Sequence, residues 1–392
     1  MENILSLISE YNPFHCGHLY HLEKSIKLVN PKYKVAIISG NFVQRGEPSI
    51  INKWEKAKIA LHYGFDLILE LPTIYAISSA ENFAQGAIKI AKQIGTTHLS
   101  FGSEIGDINS LLELSDLINN SKNYINKVKE YISNGFSYPK SQELAIKELF
   151  SSEFKGICKP NNILGLEYLK SIKNLECSIT PLTIKRNDDF ISSSQIRQSI
   201  RSGNFLKEYV PKYVQNLIVE NKKNGNLVYS LKVYEKEIIY TIRKMSFEEI
   251  SSIPDVPENT CKKIINSAGL CNTLEELISK IKNKSITQAR IQRILLYILL
   301  NITKQDMEIS KQEMPYIRVL GISENGKKLL STISNQNQNV ITSLCNYEKN
   351  CKNKNLLKLL DIDKFATDVY TLAYEKNSKS GLDYTTRVIT NP

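Results

Sequence analysis

Residues 3–22 read NILSLISEYNPFHCGHLYHL, and three of the chain's five histidines fall in the last eight positions. The apolar run Ile4 to Ile8 has the length of a buried strand. Asn12-Pro13 then forces a turn, and the spacing predicts a helix from about Gly17 through HLYHLEKSIKLV. Strand, turn and helix in that order open an α/β unit, and the pattern recurs. KVAIISG (34–40), DLILELP (66–72) and THLSFGS (97–103) each end in Gly, Ser or Pro, and amphipathic segments separate them. This alternation predicts a Rossmann-like, doubly wound parallel sheet over the first 190 residues or so, with ligands beyond the carboxyl ends of its strands.

Past residue 205 the strand signals fade into helical periods such as NTLEELISKIKNK (272–284) and ARIQRILLYILLNI (289–302), with one later strand at YIRVLGIS (316–323). A chain of 392 residues exceeds one ordinary core, so two domains are expected: 1–205, α/β, and 206–392, mainly helical. The charge divides unevenly between them. Residues 1–205 hold 23 Lys and Arg against 20 Asp and Glu, whereas residues 206–392 hold 28 against 20. That surplus suits a polyanionic partner on the second half, although a Lys- and Asn-rich surface also reads as simple solvation. No apolar stretch is long enough to span a bilayer and no signal peptide is apparent, which predicts a cytoplasmic protein without a membrane partner. The seven cysteines are scattered without CxxC or metal-type spacing and read as free thiols.

In the predicted turn, His15 and His18 share one face beside backbone N–H groups that favour anions, and Gly17 leaves room for a base or ribose. Attack on the α-phosphorus of a nucleoside triphosphate needs this kind of site. Negative charge grows there on phosphoryl oxygens and departing pyrophosphate, and two fixed imidazole donors meet it. The same residues also read as zinc ligands, since His15, His18 and His21 are three apart, or as caps and core histidines. No Cys or carboxylate completes a zinc set nearby, so no protein-held metal is expected.

A triphosphate tail needs a second anchor, and two stretches compete. ISSSQIRQSIRSGN (191–204) places Ser192 and Ser193 at a helix start, with Arg197 and Arg201 behind them. RKMSFEEI (243–250) contains Lys-Met-Ser, but Glu248 and Glu249 repel phosphate, and Ser246 with Glu249 makes a helix capping box. The first stretch is the phosphate loop expected here; the second is a decoy.

With both motifs in place, the chain resembles the nucleotidyltransferase-like HIGH superfamily, and within it the bacterial tRNA(Met) cytidine acetate ligase family. The resemblance rests on EYNPFHCGHLYHL, GNFVQRGEPSIINKWEKAKIAL, DLILELP, SAENFAQGAI, FGSE, KPNNILGLEYLK and ISSSQIR, with weaker echoes in ARIQRILLYILL, YIRVLG and DYTTRVI. It implies a two-step ligase. ATP, carried with Mg²⁺, and acetate would form acetyl-adenylate, and the acetyl group would pass to N4 of the wobble cytidine of elongator tRNA(Met), with no DNA partner.

The resemblance also implies that ATP lies along Leu7, Ile8, Ser9, Glu10, Tyr11, Asn12, Pro13, Phe14, His15, Cys16, Gly17, His18, Leu19 and Tyr20. Gly102, Asn161 or Asn162, and Arg186 would add contacts. Two departures from the family pattern are the short NDDF segment (187–190) and Ser193 where Ala is commoner. Gln44 and Arg45, after the second strand, could touch the carboxylate or the nucleotide. For tRNA, Lys280, Lys282 and Lys284 lead into a helix on which Arg290 and Arg293 share one face. Two other readings remain open: a nucleotidyltransferase acting on a small phosphorylated acceptor, and a catalytically silent RNA-binding protein.

Overall fold

The computed structural model describes residues 2–150, 159–187, 189–376 and 378–390; Cys158 and Asp188 lie outside them. The predicted strands form as β1 (Ile4–Ser9), β2 (Tyr33–Ser39), β5 (Leu67–Leu71), β6 (His98–Ser103) and β8 (Ile317–Ile322). To these the fold adds a short hairpin, β3 (Phe42–Val43) with β4 (Glu47–Pro48), and β7 (Thr180–Lys185), β9 (Val340–Ile341) and β10 (Ile389–Thr390). The main sheet has the order β10-β8-β5-β2-β1-β6-β7, with β9 beside β8. From β5 to β7 all pairs are parallel, whereas β8 runs antiparallel to β5.

Both faces of this sheet are covered, as a parallel sheet requires. Side chains alternate across the strand plane, so Val35 and Ile37 of β2 enter one core while Ala36 and Ile38 enter the other. The first core continues into the C-terminal half, where Ile238, Leu295, Tyr316 and Leu360 pack with Val35 and Leu69.

The sheet does not end where the strand signals first fade. Residues 206–392 are mainly helical, yet β8 and β10 extend the sheet that starts at β1. The physical reason is the outer edge of β5, whose backbone groups would otherwise be unpaired. β8 covers it, and all six β8 residues are buried. Buried ion pairs fasten the junction: Lys53 lies 2.9 Å from Glu70 and 2.8 Å from Asp383, and Arg318 lies 2.7 Å from Asp383. Among the described residues no helix is long and apolar enough to cross a membrane.

Candidate active site

A cavity of about 330 Å³ opens at the carboxyl ends of β1, β6 and β7. The chain leaves β1 toward β2 on one side and returns to β6 on the other, so this is the switch point where such sheets take ligands.

His15 is the N-cap of the helix Cys16–Val29. Its Nδ1 accepts the Gly17 N–H at 3.1 Å, and the Nδ1 of His18 accepts the His15 N–H at 3.1 Å. This is a reciprocal capping box built from two imidazoles where Ser and Glu are usual. Because each Nδ1 accepts, the hydrogen-bond network assigns the proton of each neutral ring to Nε2. Burial, with the Arg186 guanidinium nearby, pulls His15 down to about 4. Burial, then His15, His21 and Arg186, holds His18 well below the usual imidazole range. Near pH 7 the pair is therefore neutral. The rings lie 3.8 Å apart between centroids. Gly17 is required partly by this pair: a Cβ there would stand 2.9 Å from Cε1 of His15.

The helix Ser193–Arg201 meets the same turn. Ser192 caps it reciprocally, accepting the Gln195 N–H at 3.3 Å and donating its own N–H to Gln195 Oε1 at 2.8 Å. Ser193 Oγ sits 3.1 Å from His15 Nε2, so the hydroxyl that departs from the family pattern contacts the histidine cap. Arg197 Nη1 donates to the Asn12 carbonyl at 2.7 Å and Nη2 to Ser194 Oγ at 3.1 Å. The two motifs separated by about 180 residues are thus joined by direct bonds.

Of the stretch Leu7–Tyr20, the structure brings Ile8, Ser9, Glu10, Tyr11, Asn12, His15, Gly17, His18 and Tyr20 to the cavity wall. Gly102, Asn161, Arg186, Ser192, Ser193, Arg197, Gln44 and Arg45 also line it. Leu7, Pro13, Phe14, Cys16, Leu19 and Asn162 do not. Leu7 and Phe14 are core residues, and Cys16 reaches the Glu208 carbonyl instead. Asn162 is fully buried, and its Oδ1 accepts the N–H groups of Glu104 at 2.9 Å and Ile105 at 3.3 Å. In return Glu104 occupies the N-terminus of the helix Pro160–Asn174, accepting from the Asn162 N–H at 3.0 Å and from Asn161 Nδ2 at 2.8 Å.

The cavity also holds residues that sequence reasoning passed over. Phe83, Phe101, Leu164 and Tyr168 form an apolar wall, and Glu47, Lys185, Asn187 and Phe190 stand around it. Leu164 and Tyr168 share the helix Pro160–Asn174, and Asn187 and Phe190 share the loop after β7, but the groups arrive from distant parts of the chain and no local pattern links them. His21, the third member of the zinc reading, bonds Ser100 Oγ at 2.9 Å. Among the described residues no three His, Cys, Asp or Glu side chains gather as a metal ion would require.

The basic residues of the C-terminal half divide in two. Lys280, Lys282 and Lys284 are exposed, whereas Arg290 and Arg293 are half-buried. Arg290 Nη2 donates to the Asp255 carbonyl at 2.9 Å, and Arg293 lies 3.8 Å from the Asp255 carboxylate. Their helix, Gln288–Leu299, packs on the β3–β4 hairpin, where a Cβ on Gly46 would meet the Arg293 backbone N at 2.4 Å. Lys-Met-Ser leads into the short helix Phe247–Ser251, capped by Ser246 and Glu249, and lines no part of the cavity.

A family model described as HIGH Nucleotidyl Transferase matches residues 2–384. The chain is 40% identical over 402 residues to a protein of Thermoanaerobacter sp. (strain X514) named tRNA(Met) cytidine acetate ligase, covering 97% of this chain and 98% of that one. A protein of the same name from Acetivibrio thermocellus is 36% identical, covering 98% and 99%. The crystal structure of Thermotoga maritima TmcAL bound with alpha-thio ATP superposes with a TM-score of 0.93 at 29% identity, covering 99% of each chain. Histidine-capped cavity, fold and near-complete coverage agree, and the chain belongs to the HIGH nucleotidyl transferases and, among them, to the tRNA(Met) cytidine acetate ligase family.

Proposed function

We propose that this chain activates acetate with ATP and transfers the acetyl group to N4 of the wobble cytidine of elongator tRNA(Met). The observation that carries the chemistry is the imidazole capping box, which aims neutral N–H donors from a helix N-terminus in the sheet's switch-point cavity. Acetate oxygen attacks the α-phosphorus of ATP, the bond to the bridging oxygen breaks, and pyrophosphate leaves. Charge then grows on the α-phosphoryl oxygens, where His18 donates from Nε2 and His15 acts through the Ser193 hydroxyl that its Nε2 holds, neither ring changing charge. Arg186 and Arg197 supply the fixed positive charge of the cavity, and Mg²⁺ arrives with the nucleotide as part of the substrate. ATP lies along the cavity-lining residues of the Leu7–Tyr20 stretch, the Glu10 carboxylate excepted, with Gly102, Asn161, Ser192 and Ser193.

In this reading residues 1–205 carry the nucleotide chemistry, and residues 206–392, with their charge surplus and the exposed Lys280, Lys282 and Lys284, take the tRNA. A tRNA substrate places the work in the cytoplasm, with no membrane or DNA involved. The test is nucleoside mass spectrometry of tRNA incubated with the protein, ATP, Mg²⁺ and isotope-labelled acetate. Labelled N4-acetylcytidine supports the reading. Pyrophosphate release that ignores acetate, or tRNA that stays unlabelled while acetyl-adenylate accumulates, overturns it.

A further inference from the structure

Acylation of an amine releases a proton, and the residues so far placed in the site offer no obvious acceptor for it. Of the three histidines that line the cavity, His15 and His18 spend Nδ1 on backbone N–H groups and carry hydrogen on Nε2, so neither presents a lone pair, and His21 holds its Nε2 on the Ser100 hydroxyl at 2.9 Å. Arg45, Arg186, Arg197 and Lys185 are donors only. Burial pushes the Tyr11 and Tyr168 hydroxyls further up from an already high range. Two carboxylates remain among the residues that line the cavity, Glu10 and Glu47. Glu47 is spent: Oε2 accepts the Leu231 N–H at 2.9 Å, and Oε1 accepts the Gln292 side-chain amide.

Glu10 stands just past the carboxyl end of β1, five residues before His15, and lines the cavity. One oxygen, Oε1, accepts the Gln44 N–H at 2.9 Å, which fixes the carboxylate's direction, and Oε2 makes no bond to another described residue. The backbone beneath it is held as well. The buried Lys56 ammonium donates to the Glu10 carbonyl at 3.0 Å and to the Ser39 carbonyl at 2.9 Å, clamping the ends of β1 and β2 together. The charged and titratable groups facing Glu10 include Lys56, Arg197 and Tyr168, from three separate helices. None of them forms an ion pair with its carboxylate within 4 Å. A carboxylate directed into a cavity for two anions, ATP and acetate, repels both substrates of the first step; its chemistry suits a neutral amine in the second.

We infer that Glu10 accepts the proton of the cytidine N4 amine during acetyl transfer, an inference that rests on the acetate-ligase reading above. N4 attacks the carbonyl carbon of acetyl-adenylate and the new N–C bond forms. The C–O bond to the AMP phosphate breaks, and its electron pair leaves with AMP. One N4 proton passes to Glu10 Oε2 and from there to water.

The two half-reactions are measured separately on the full-length protein. Acetate-dependent exchange of labelled pyrophosphate into ATP reports the first. Single-turnover passage of label from isolated enzyme-bound acetyl-adenylate to unmodified elongator tRNA(Met) transcript reports the second. Glu10→Gln, a near-isosteric change, lowers transfer by about 100-fold, within the usual range for loss of a general base, and lowers exchange by less than about tenfold. Glu10→Asp, which keeps a carboxylate, recovers part of the transfer. Equal losses in exchange and transfer, or a Gln variant that transfers as fast as wild type, overturn the assignment. A wild-type protein that forms no acetyl-adenylate fails one stage earlier, and then the acetate reading itself falls and takes the role of Glu10 with it.

Discussion

Two helices bring their N-termini to the same cavity and finish them in opposite ways. The first turn of Pro160–Asn174 is closed by the Glu104 carboxylate, which accepts from the Asn162 N–H and the Asn161 side chain. The first turn of Cys16–Val29 is closed by imidazoles, His15 and His18. A helix N-terminus carries roughly half a positive charge and several amides without partners. At Pro160 an internal anion already uses both, so Asn161 and Asn162 chiefly hold the FGSE loop in place. At Cys16 the caps are neutral and return hydrogen-bond donors of their own. On the function proposed above, the difference marks the end of the cavity that takes phosphate, and it breaks or sharpens with substitutions at the caps.

The largest effect is expected at His18. Asparagine there retains an acceptor close to the Nδ1 position, so the cap on the His15 N–H survives while the Nε2 donor is lost. His18→Asn lowers acetate-dependent adenylation by roughly two orders of magnitude or more, with ATP affinity nearly unchanged, because the donor acts mainly on charge that develops in the transition state. Stopped-time pyrophosphate release and equilibrium ATP binding separate the two quantities. Turnover close to wild type would leave the imidazole cap with no role beyond that of Glu104.

A second expectation follows from the burial of the cap. His15 is held at about 4 in the folded chain, against roughly 6.5 when unfolded. Between those values the unfolded chain binds a proton that the folded one refuses. Stability is therefore full above about pH 7.5, declines as pH falls through 6.5, and stops declining below about 4. By pH 5 the loss from this residue alone is about 2 kcal/mol. Thermal midpoints taken at pH 7.5 and pH 5 should differ by several degrees, and the drop should be shallower in His15→Asn. A variant whose midpoint follows pH as steeply as the wild type would assign the acid sensitivity to other groups.

How much of this was legible in the residues depends on the range of the interaction. The strands that carry the site declared themselves, because Ile4–Ser9 and Leu67–Leu71 are apolar runs of strand length bounded by turn formers. The helix at HCGH, the Ser192 cap and the Ser246 capping box were legible for the same reason: capping is settled within four residues. Long-range partners were not. Nothing near Glu104 announces that it will serve a helix starting at Pro160, and nothing near Glu47 foretells Gln292. The run Ile317–Ile322 reads as a strand, but that it would cover the edge of β5 from 250 residues away is a property of the folded sheet.

Arg197 sharpens the comparison from the third helix. It adds charge to the cavity and holds the Asn12 carbonyl, so Arg197→Ala should raise the dissociation constant for ATP about tenfold, the usual scale for a charge-assisted hydrogen bond. Lysine at the same position restores the charge without the planar fork and should recover only part of the affinity. Isothermal titration with a non-hydrolysable ATP analogue decides it, and equal affinity in all three proteins would reduce this helix to a scaffold.

A smaller effect is expected on the basic half. Lys280→Ala, Lys282→Ala and Lys284→Ala together remove exposed charges, so tRNA affinity should fall several-fold and its dependence on salt should become shallower by about two units of slope. Adenylation should persist. Arg290 and Arg293 differ in kind: they rest on Asp255 beneath the hairpin that carries Gln44 and Arg45, so reversing them to Glu should disturb both half-reactions. Filter binding across a salt series, paired with pyrophosphate exchange, tells the two basic groups apart, and an unchanged salt slope in the lysine variant would move the tRNA elsewhere.

The smallest expected effect closes the comparison, because it concerns two caps of one local design. Ser192 with Gln195 and Ser246 with Glu249 are both reciprocal capping boxes, and each precedes a helix by one residue. What separates them is tertiary: Ser193 reaches His15 and the first box opens on the cavity, while the second presents exposed Glu248 and Glu249 and lines no part of it. Phosphate beside two carboxylates would be repelled, and capping is then the whole role of Ser246. Lys244, exposed just before that box, has no anion to hold, so Lys244→Ala should leave ATP affinity and adenylation within about twofold of wild type, the range of an ordinary surface substitution. Adenylation that collapses in this variant would mean that the Lys-Met-Ser stretch moves to the nucleotide during the reaction, and that the box at Ser192 was the decoy.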